Sequence, residues 1–205
     1  MKILITGGTG LIGTQLVQEL VMHSHQVTVL SRSPQKVYSL FCKAVECWTT
    51  LNDKTNLNDF DVVINLAGEP IAEKRWTADQ KKILCDSRWK ITQKITDLIK
   101  ASSNPPSVFL SGSAVGYYGD QGQSVITEVD QPHDEFTHDL AARWEAIAQE
   151  AESPKNSRMS TANRVSIVPK WWIISKKFCR YSKWVQAGLS AMANNICHGF
   201  ILRIW

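Results

Sequence analysis

No apolar run in the 205 residues approaches the roughly 18 positions that a membrane-spanning helix needs. Nor is there a cationic and apolar leader: Met1 passes directly into the strand-like run Lys2-Ile3-Leu4-Ile5-Thr6, so no cleavable signal peptide is expected and a cytoplasmic location is. Cysteine is sparse. Cys42, Cys47, Cys85, Cys179 and Cys197 form no C-x-x-C pair and no metal-ligand spacing, which disfavours a metal site and a disulfide framework and suits reduced thiols. With 11 Gly and 7 Pro, the chain is too poor in both to be collagen-like or low in complexity, and 43% hydrophobic residues exclude a disordered polymer. Its length suits one domain with a sizeable core, or one domain plus an incomplete second.

Acidic residues are absent from one quarter of the chain. Residues 1–152 carry 14 Lys and Arg against 19 Asp and Glu, a balance of −5, whereas residues 153–205 carry 9 Lys and Arg and no acid, a balance of +9. The same segment holds Trp171, Trp172, Trp184 and Trp205. Basic residues interleaved with aromatics can form a nucleic-acid arm in which Lys170, Lys176, Lys177, Arg180 and Lys183 contact phosphates. The favoured reading is different: the segment is not the natural continuation of the domain before it.

Within residues 1–152 the apolar pattern alternates between strand-like and helix-like. Residues 2–6 read as a buried strand, and Leu11–Val21 carry apolar residues at helical spacing. Gln26–Leu30 is a second strand, and Ser33-Pro34 starts a helix with Pro at its first position. Asp61–Ala67 reads as a third buried run. A long helix is expected from an N-cap at Thr77 to about Ala101, a strand from Ser107, and a helix over Asp134–Ala151 with Leu140, Trp144, Ile147 and Ala151 on one face. Alternation of this kind predicts an α/β, Rossmann-like doubly wound parallel sheet.

The strongest chemical signal is Thr6-Gly7-Gly8-Thr9-Gly10-Leu11-Ile12-Gly13, which lies between the first strand and the first helix. Gly7 allows the tight turn, Gly10 leaves room for a pyrophosphate, and Gly13 lets the helix approach the sheet. The helix N–H groups then face the phosphates. At the end of the second strand, an acid would bond the ribose 2′-hydroxyl of NAD; here the residues are Leu30-Ser31-Arg32-Ser33, with Lys36 close behind. A guanidinium pairs with a 2′-phosphate, so NADP(H) is favoured over NAD(H).

These residues, together with Asn65-Leu66-Ala67-Gly68-Glu69-Pro70-Ile71, Arg75-Trp76-Thr77, Ser87-Arg88, Ser113-Ala114-Val115-Gly116-Tyr117-Tyr118-Gly119 and Trp144-Glu145, resemble extended short-chain dehydrogenase/reductases. More narrowly they resemble the bacterial "epimerase family" proteins related to NAD(P)-dependent nucleotide-sugar epimerases. The resemblance covers residues 1–152, taken as the NADP-binding domain, and leaves 153–205 as an atypical basic, Trp-rich tail. It implies a cofactor site formed by Gly7, Thr9, Gly10, Leu11, Ile12, Gly13, Ser31, Arg32, Leu66, Ala67 and Gly68. Ser113 would hold a substrate oxygen, with Ser111 second, and Tyr117 would line the nicotinamide pocket or act in the chemistry. The implied partners are the dinucleotide and a nucleotide-sugar or small carbonyl substrate, with no membrane and no nucleic acid; oligomeric state is left open.

The superfamily's proton-carrying Tyr-x-x-x-Lys is missing. No Tyr in the chain has Lys four positions on, and Phe136 and Leu140 stand at that spacing in the helix expected to carry it. Glu69, Arg75, His133, His138 and Tyr118 are the other groups near enough in sequence to serve. A non-catalytic NADPH-binding protein and an inactive truncated product are therefore the alternatives to an enzyme. Extended members also continue with a substrate domain past residue 205, which makes that domain missing or incomplete here. Codon choices exist by which Val168–Lys177, read one nucleotide later, and Ser190–Leu202, read two later, give strings similar to the family's downstream segments. The tail is therefore expected to be a misread frame that does not pack as a natural core.

Overall fold

Alternating side chains make the first strand a wall between two cores. In the computed structural model, which describes residues 1–152 except 125 and 128, together with the strand 158–162, β1 (Lys2–Thr6) is followed by α1 (Leu11–Met22), β2 (Gln26–Leu30), α2 (Pro34–Phe41), β3 (Glu46–Trp48), β4 (Val62–Asn65), α3 (Ala78–Lys100), β5 (Val108–Gly112), α4 (Phe136–Gln149) and β6 (Arg158–Ala162). The six strands form one sheet in the order β3-β2-β1-β4-β5-β6, every neighbouring pair parallel. Ile3 and Ile5 point to one face, with Val17 of α1 and Val37 and Phe41 of α2. Leu4 points to the other, with Ile95, Leu98 and Ile99 of α3 and Ala148 of α4. The side-chain period of two thus places helices on both faces of the sheet.

The order reverses direction on either side of β1, where the β1–α1 and β4–α3 connections diverge. In open parallel sheets the crevice beyond the strand C-termini at such a point is where ligands bind. Gly7, Thr9, Gly10, Ser31, Arg32, Leu66, Ala67, Gly68 and Ser113 lie on connections at that edge, whereas Leu11, Ile12 and Gly13 open α1 and Ser111 is in β5.

Local signals account for the helix ends. The Thr77 hydroxyl accepts from the Gln80 N–H at 3.2 Å, with Asp79 in the first turn of α3 and Lys100 in the last, as the helix dipole favours. Thr77→Ala is expected to cost about 1 kcal/mol, read from the urea midpoint; an unchanged midpoint would show that the cap contributes nothing. Pro34 opens α2 as expected. Helix α4 is shorter than the expected 134–151 at both ends, and Ala151 is buried beyond its last turn.

Two strands differ from expectation. β3 was not legible: it is three residues at the sheet edge, with Glu46 exposed, too short to show a period. β4 stops at Asn65, not Ala67, because Thr6 takes over the pairing: its carbonyl accepts from Leu66 N (3.1 Å) and its hydroxyl from Ala67 N (3.2 Å). Past residue 152, the sheet takes in residues 158–162 of the segment the sequence sets apart as a basic tail. Of the expectation that residues 154–205 do not pack as a natural core, the parts on 154–157 and 163–205 lie outside the described residues, and no helix among the described residues is long and apolar enough to cross a membrane.

Candidate functional site: a dinucleotide crevice at the strand C-termini

The Gly-rich turn is built from backbone. Gly7 has φ +70°, and its carbonyl accepts from Gly10 N at 3.0 Å, closing the turn. A Cβ on Gly13 would lie 2.2 Å from the Gly7 oxygen and 2.7 Å from Gly8 Cα, so the first turn of α1 rests directly on the loop. A Cβ on Gly10 would meet only the Gly7 oxygen, at 3.2 Å, and otherwise faces open space. Gly10 caps α1 without a side-chain bond, and no acid lies in the first turn. Leu11 and Ile12 are 52% and 41% exposed beside it, and Thr9 is half-buried. An uncapped helix end with space in front of it and no competing carboxylate suits an anion.

At the end of β2, Ser31 N bonds the Trp48 carbonyl at 2.9 Å, and the Ser31 hydroxyl accepts from Ser33 N at 3.2 Å. Arg32 beside it is exposed. Across the crevice, Glu69 accepts from Lys74 Nζ at 2.9 Å. That hydrogen bond holds its carboxyl below the usual carboxylate range, with Lys74, Arg32 and Arg88 adding charge in the same direction.

Between these walls lies a buried polar network. The Thr6 hydroxyl donates to Asn65 Oδ1 (2.6 Å), and Asn65 Nδ2 donates to Thr92 Oγ1 (2.8 Å). Trp144 Nε1 donates to the same Thr92 oxygen (2.9 Å), whose own proton goes to the Arg88 carbonyl (2.7 Å). Two strand ends and two helices are thereby tied at one point. Arg88 reaches from α3 under the Leu66-Ala67-Gly68 loop: one of its guanidinium nitrogens donates to the Glu69 carbonyl (3.0 Å), another to the Leu84 carbonyl (3.1 Å), and the group sits 5.5 Å from the Trp144 ring. Burial pushes the Arg88 pKa down. A Cβ on Gly68 would lie 2.9 Å from the Arg88 guanidinium carbon. Leu66 and Ala67 are half-buried and Gly68 exposed at the crevice edge.

Beyond β5, the Ser113 hydroxyl donates to Glu145 Oε1 of α4. Glu145 is buried. Tyr117 lies in a 3-10 turn over Val115–Tyr118; its ring packs edge-on against His138 at 4.9 Å, and its carbonyl faces His138 Nδ1 at 2.7 Å. Ser111 lies inside the sheet, 3.4 Å from Asn65 Nδ2, which makes it part of the network and leaves Ser113 at the rim. Phe136 packs on Trp76 (5.5 Å), and Leu140 is buried. The sequence reading gave no role to Glu145 or Thr92, and took Asn65 as the start of a turn closing over the cofactor, whereas its side chain lies in the buried network. An acid between Ala141 and Ala148 on the apolar face of α4 was the available signal for the first.

The fold and this crevice define an α/β dinucleotide-binding domain. The family model for the NAD dependent epimerase/dehydratase family matches residues 3–149, and the chain belongs to that family. It is 36% identical over 153 residues to an epimerase family protein of Staphylococcus haemolyticus, and 39% identical over 155 residues to one of Staphylococcus aureus strain MRSA252. These matches cover 74% and 73% of this chain and 50% of each relative, so the chain spans about half the length of the curated relatives it matches. Among solved structures, a human epimerase family protein with NADPH superposes with a TM-score of 0.65 at 31% identity, covering 78% of this chain and 52% of that one. A UDP-glucuronic acid 4-epimerase variant of Bacillus cereus, with a fluorinated sugar nucleotide and NAD, gives 0.62 at 23% identity, covering 74% and 52%, a likeness of fold.

Proposed function

We propose that the domain binds NADP(H) and belongs to an epimerase- or reductase-like protein acting on a nucleotide-sugar or small carbonyl substrate. The observation that carries the reading is the uncapped N-terminus of α1 behind the Gly7–Gly13 turn, with Arg32, and no acid, at the end of β2. The backbone of Gly10, Leu11 and Ile12 receives the pyrophosphate; Ser31 and Arg32 frame the 2′-phosphate; Leu66, Ala67 and Gly68 bound the crevice opposite. Ser113 holds the substrate oxygen and Tyr117 lines the pocket. Bound there, the dinucleotide supplies hydride transfer. The human relative solved with NADPH supports the choice of phosphate.

Equilibrium titration tests this. NADPH is expected to bind more tightly than NADH, and Arg32→Ala to weaken NADPH by about 10- to 100-fold, as losing a charge-assisted bond does, with NADH unchanged. Equal loss for both cofactors would sink the phosphate assignment.

A second reading, an NADPH-binding protein without turnover, is favoured by Phe136 and Leu140 at the expected dyad spacing, since neither moves a proton. Stoichiometric binding without turnover of a carbonyl and nucleotide-sugar panel distinguishes it. Within residues 154–205, proposed as a shifted reading frame, β6 pairs with β5 through Ala162, and the strings that a shifted frame gives start beyond it, at Val168. Resequencing the coding DNA from codon 145 past the stop decides that point.

A further inference from the structure

We propose that Glu145 is the proton acceptor of this site and acts through Ser113, replacing the absent Tyr-Lys pair; the inference rests on the cofactor reading above. Glu145 is 5% exposed, yet its Oε1 receives the Ser113 hydroxyl across 32 residues of sequence. A carboxylate only accepts, and a hydroxyl has a single proton. With that proton committed to Glu145, Ser113 Oγ presents lone pairs to a ligand in the crevice. With Glu145 ionised, the group it takes is therefore an O–H donor, an alcohol; with the proton on Glu145, the same hydroxyl donates to the corresponding carbonyl.

The pair is held rigidly. Trp144, next to Glu145, is pinned by Nε1 to Thr92, and its ring lies where a Cβ on Gly112 would come within 2.8 Å. This locks α4 to the end of β5, one residue before Ser113. A buried charge is costly to keep where an apolar or neutral side chain would pack, and Ser113 by itself could donate to a neutral oxygen. The carboxylate adds the capacity to become neutral by taking a proton.

In the step, the alcohol O–H breaks as Ser113 Oγ–H forms, and the original Ser113 proton passes to Glu145 Oε1, leaving a carboxylic acid. The dinucleotide that the Gly7–Gly13 turn would hold would supply the hydride acceptor, and the alcohol carbon would become a ketone. Two protons shift along the relay, and the electron pair goes to the dinucleotide, so atoms and charge balance. Glu145 is a positioning and proton-holding residue; Ser113 makes the contact.

The full-length chain and its Ser113→Ala, Glu145→Gln and Glu145→Asp variants test this. With carboxyl-¹³C glutamate, the Glu145 resonance, assigned by its loss in Glu145→Gln, is expected to move in Ser113→Ala without any cofactor present. With NADP⁺ and 1-phenylethanol as probe, Ser113→Ala and Glu145→Gln are each expected to lower kcat by about 100-fold or more with little change in KM. The double variant is expected to be no worse than either single, because the two residues act as a unit, and Glu145→Asp to recover part of the rate. Ser113→Ala removes one half-buried oxygen and keeps the test open if Glu145→Gln does not fold. An unmoved resonance, a Glu145→Gln kcat within about twofold of the parent, or losses that multiply would overturn the relay. Binding of NADP⁺ with no NADPH formed from the alcohol overturns the relay alone; failure to bind either cofactor overturns both it and the cofactor reading.

Discussion

Gly13→Val is expected to abolish NADPH binding and to lower stability together. The new Cβ would sit 2.2 Å from the Gly7 oxygen and 2.7 Å from Gly8 Cα, and both are backbone atoms of a turn that cannot rotate aside. Helix α1 must then lift from β1, opening the packing of buried Val17 against Ile3 and Ile5. Overpacking of this kind costs about 1–3 kcal/mol or more. Gly10→Ala separates fold from site. Its Cβ meets one atom at 3.2 Å and otherwise open space, so the thermal midpoint should stay within a few degrees while NADPH affinity falls by at least about tenfold. Thermal unfolding and a fluorescence titration on both variants read the two effects. Undiminished NADPH affinity in Gly10→Ala would mean that the open space in front of α1 is not where the phosphates lie.

Trp144→Ala is expected to be the most destabilising single change outside the turn, at about 3–5 kcal/mol. The ring is 6% exposed, backs Gly112 and Arg88, and its Nε1 completes the acceptor capacity of Thr92. Against a typical total of about 5–15 kcal/mol, that is a large share. Trp144→Phe keeps most of the packing and loses one hydrogen bond, and because Thr92 Oγ1 still accepts from Asn65, its cost should be about 1 kcal/mol. Chemical denaturation compares the two. If both variants cost the same, the hydrogen bond and not the ring carries the effect.

The turn between β1 and α1 was legible because everything that makes it is local: a period-two run, glycines at positions 7, 10 and 13, then a 3.6 period. The cap of α3 was legible for the same reason, as Thr77 and Gln80 are three residues apart. Parallel order followed from alternation of strands with helices, although β3 escaped because three edge residues show no period.

What local pattern could not supply is contact across long separations. Thr6 ends β4 from 59 residues away, since its hydroxyl reaches Asn65 before the ladder can continue. The serines at 111 and 113 look alike in sequence, and only the register of β5 against β4 puts the first inside the network and the second at the rim. The amino-acid sequence by itself determined the layers, the glycine-rich turn and the missing Tyr-Lys pair, because these are patterns of neighbouring residues. Tertiary structure alone decided that the buried acid of α4 meets Ser113, because that contact depends on how α4 packs on the end of β5 and on no spacing along the chain.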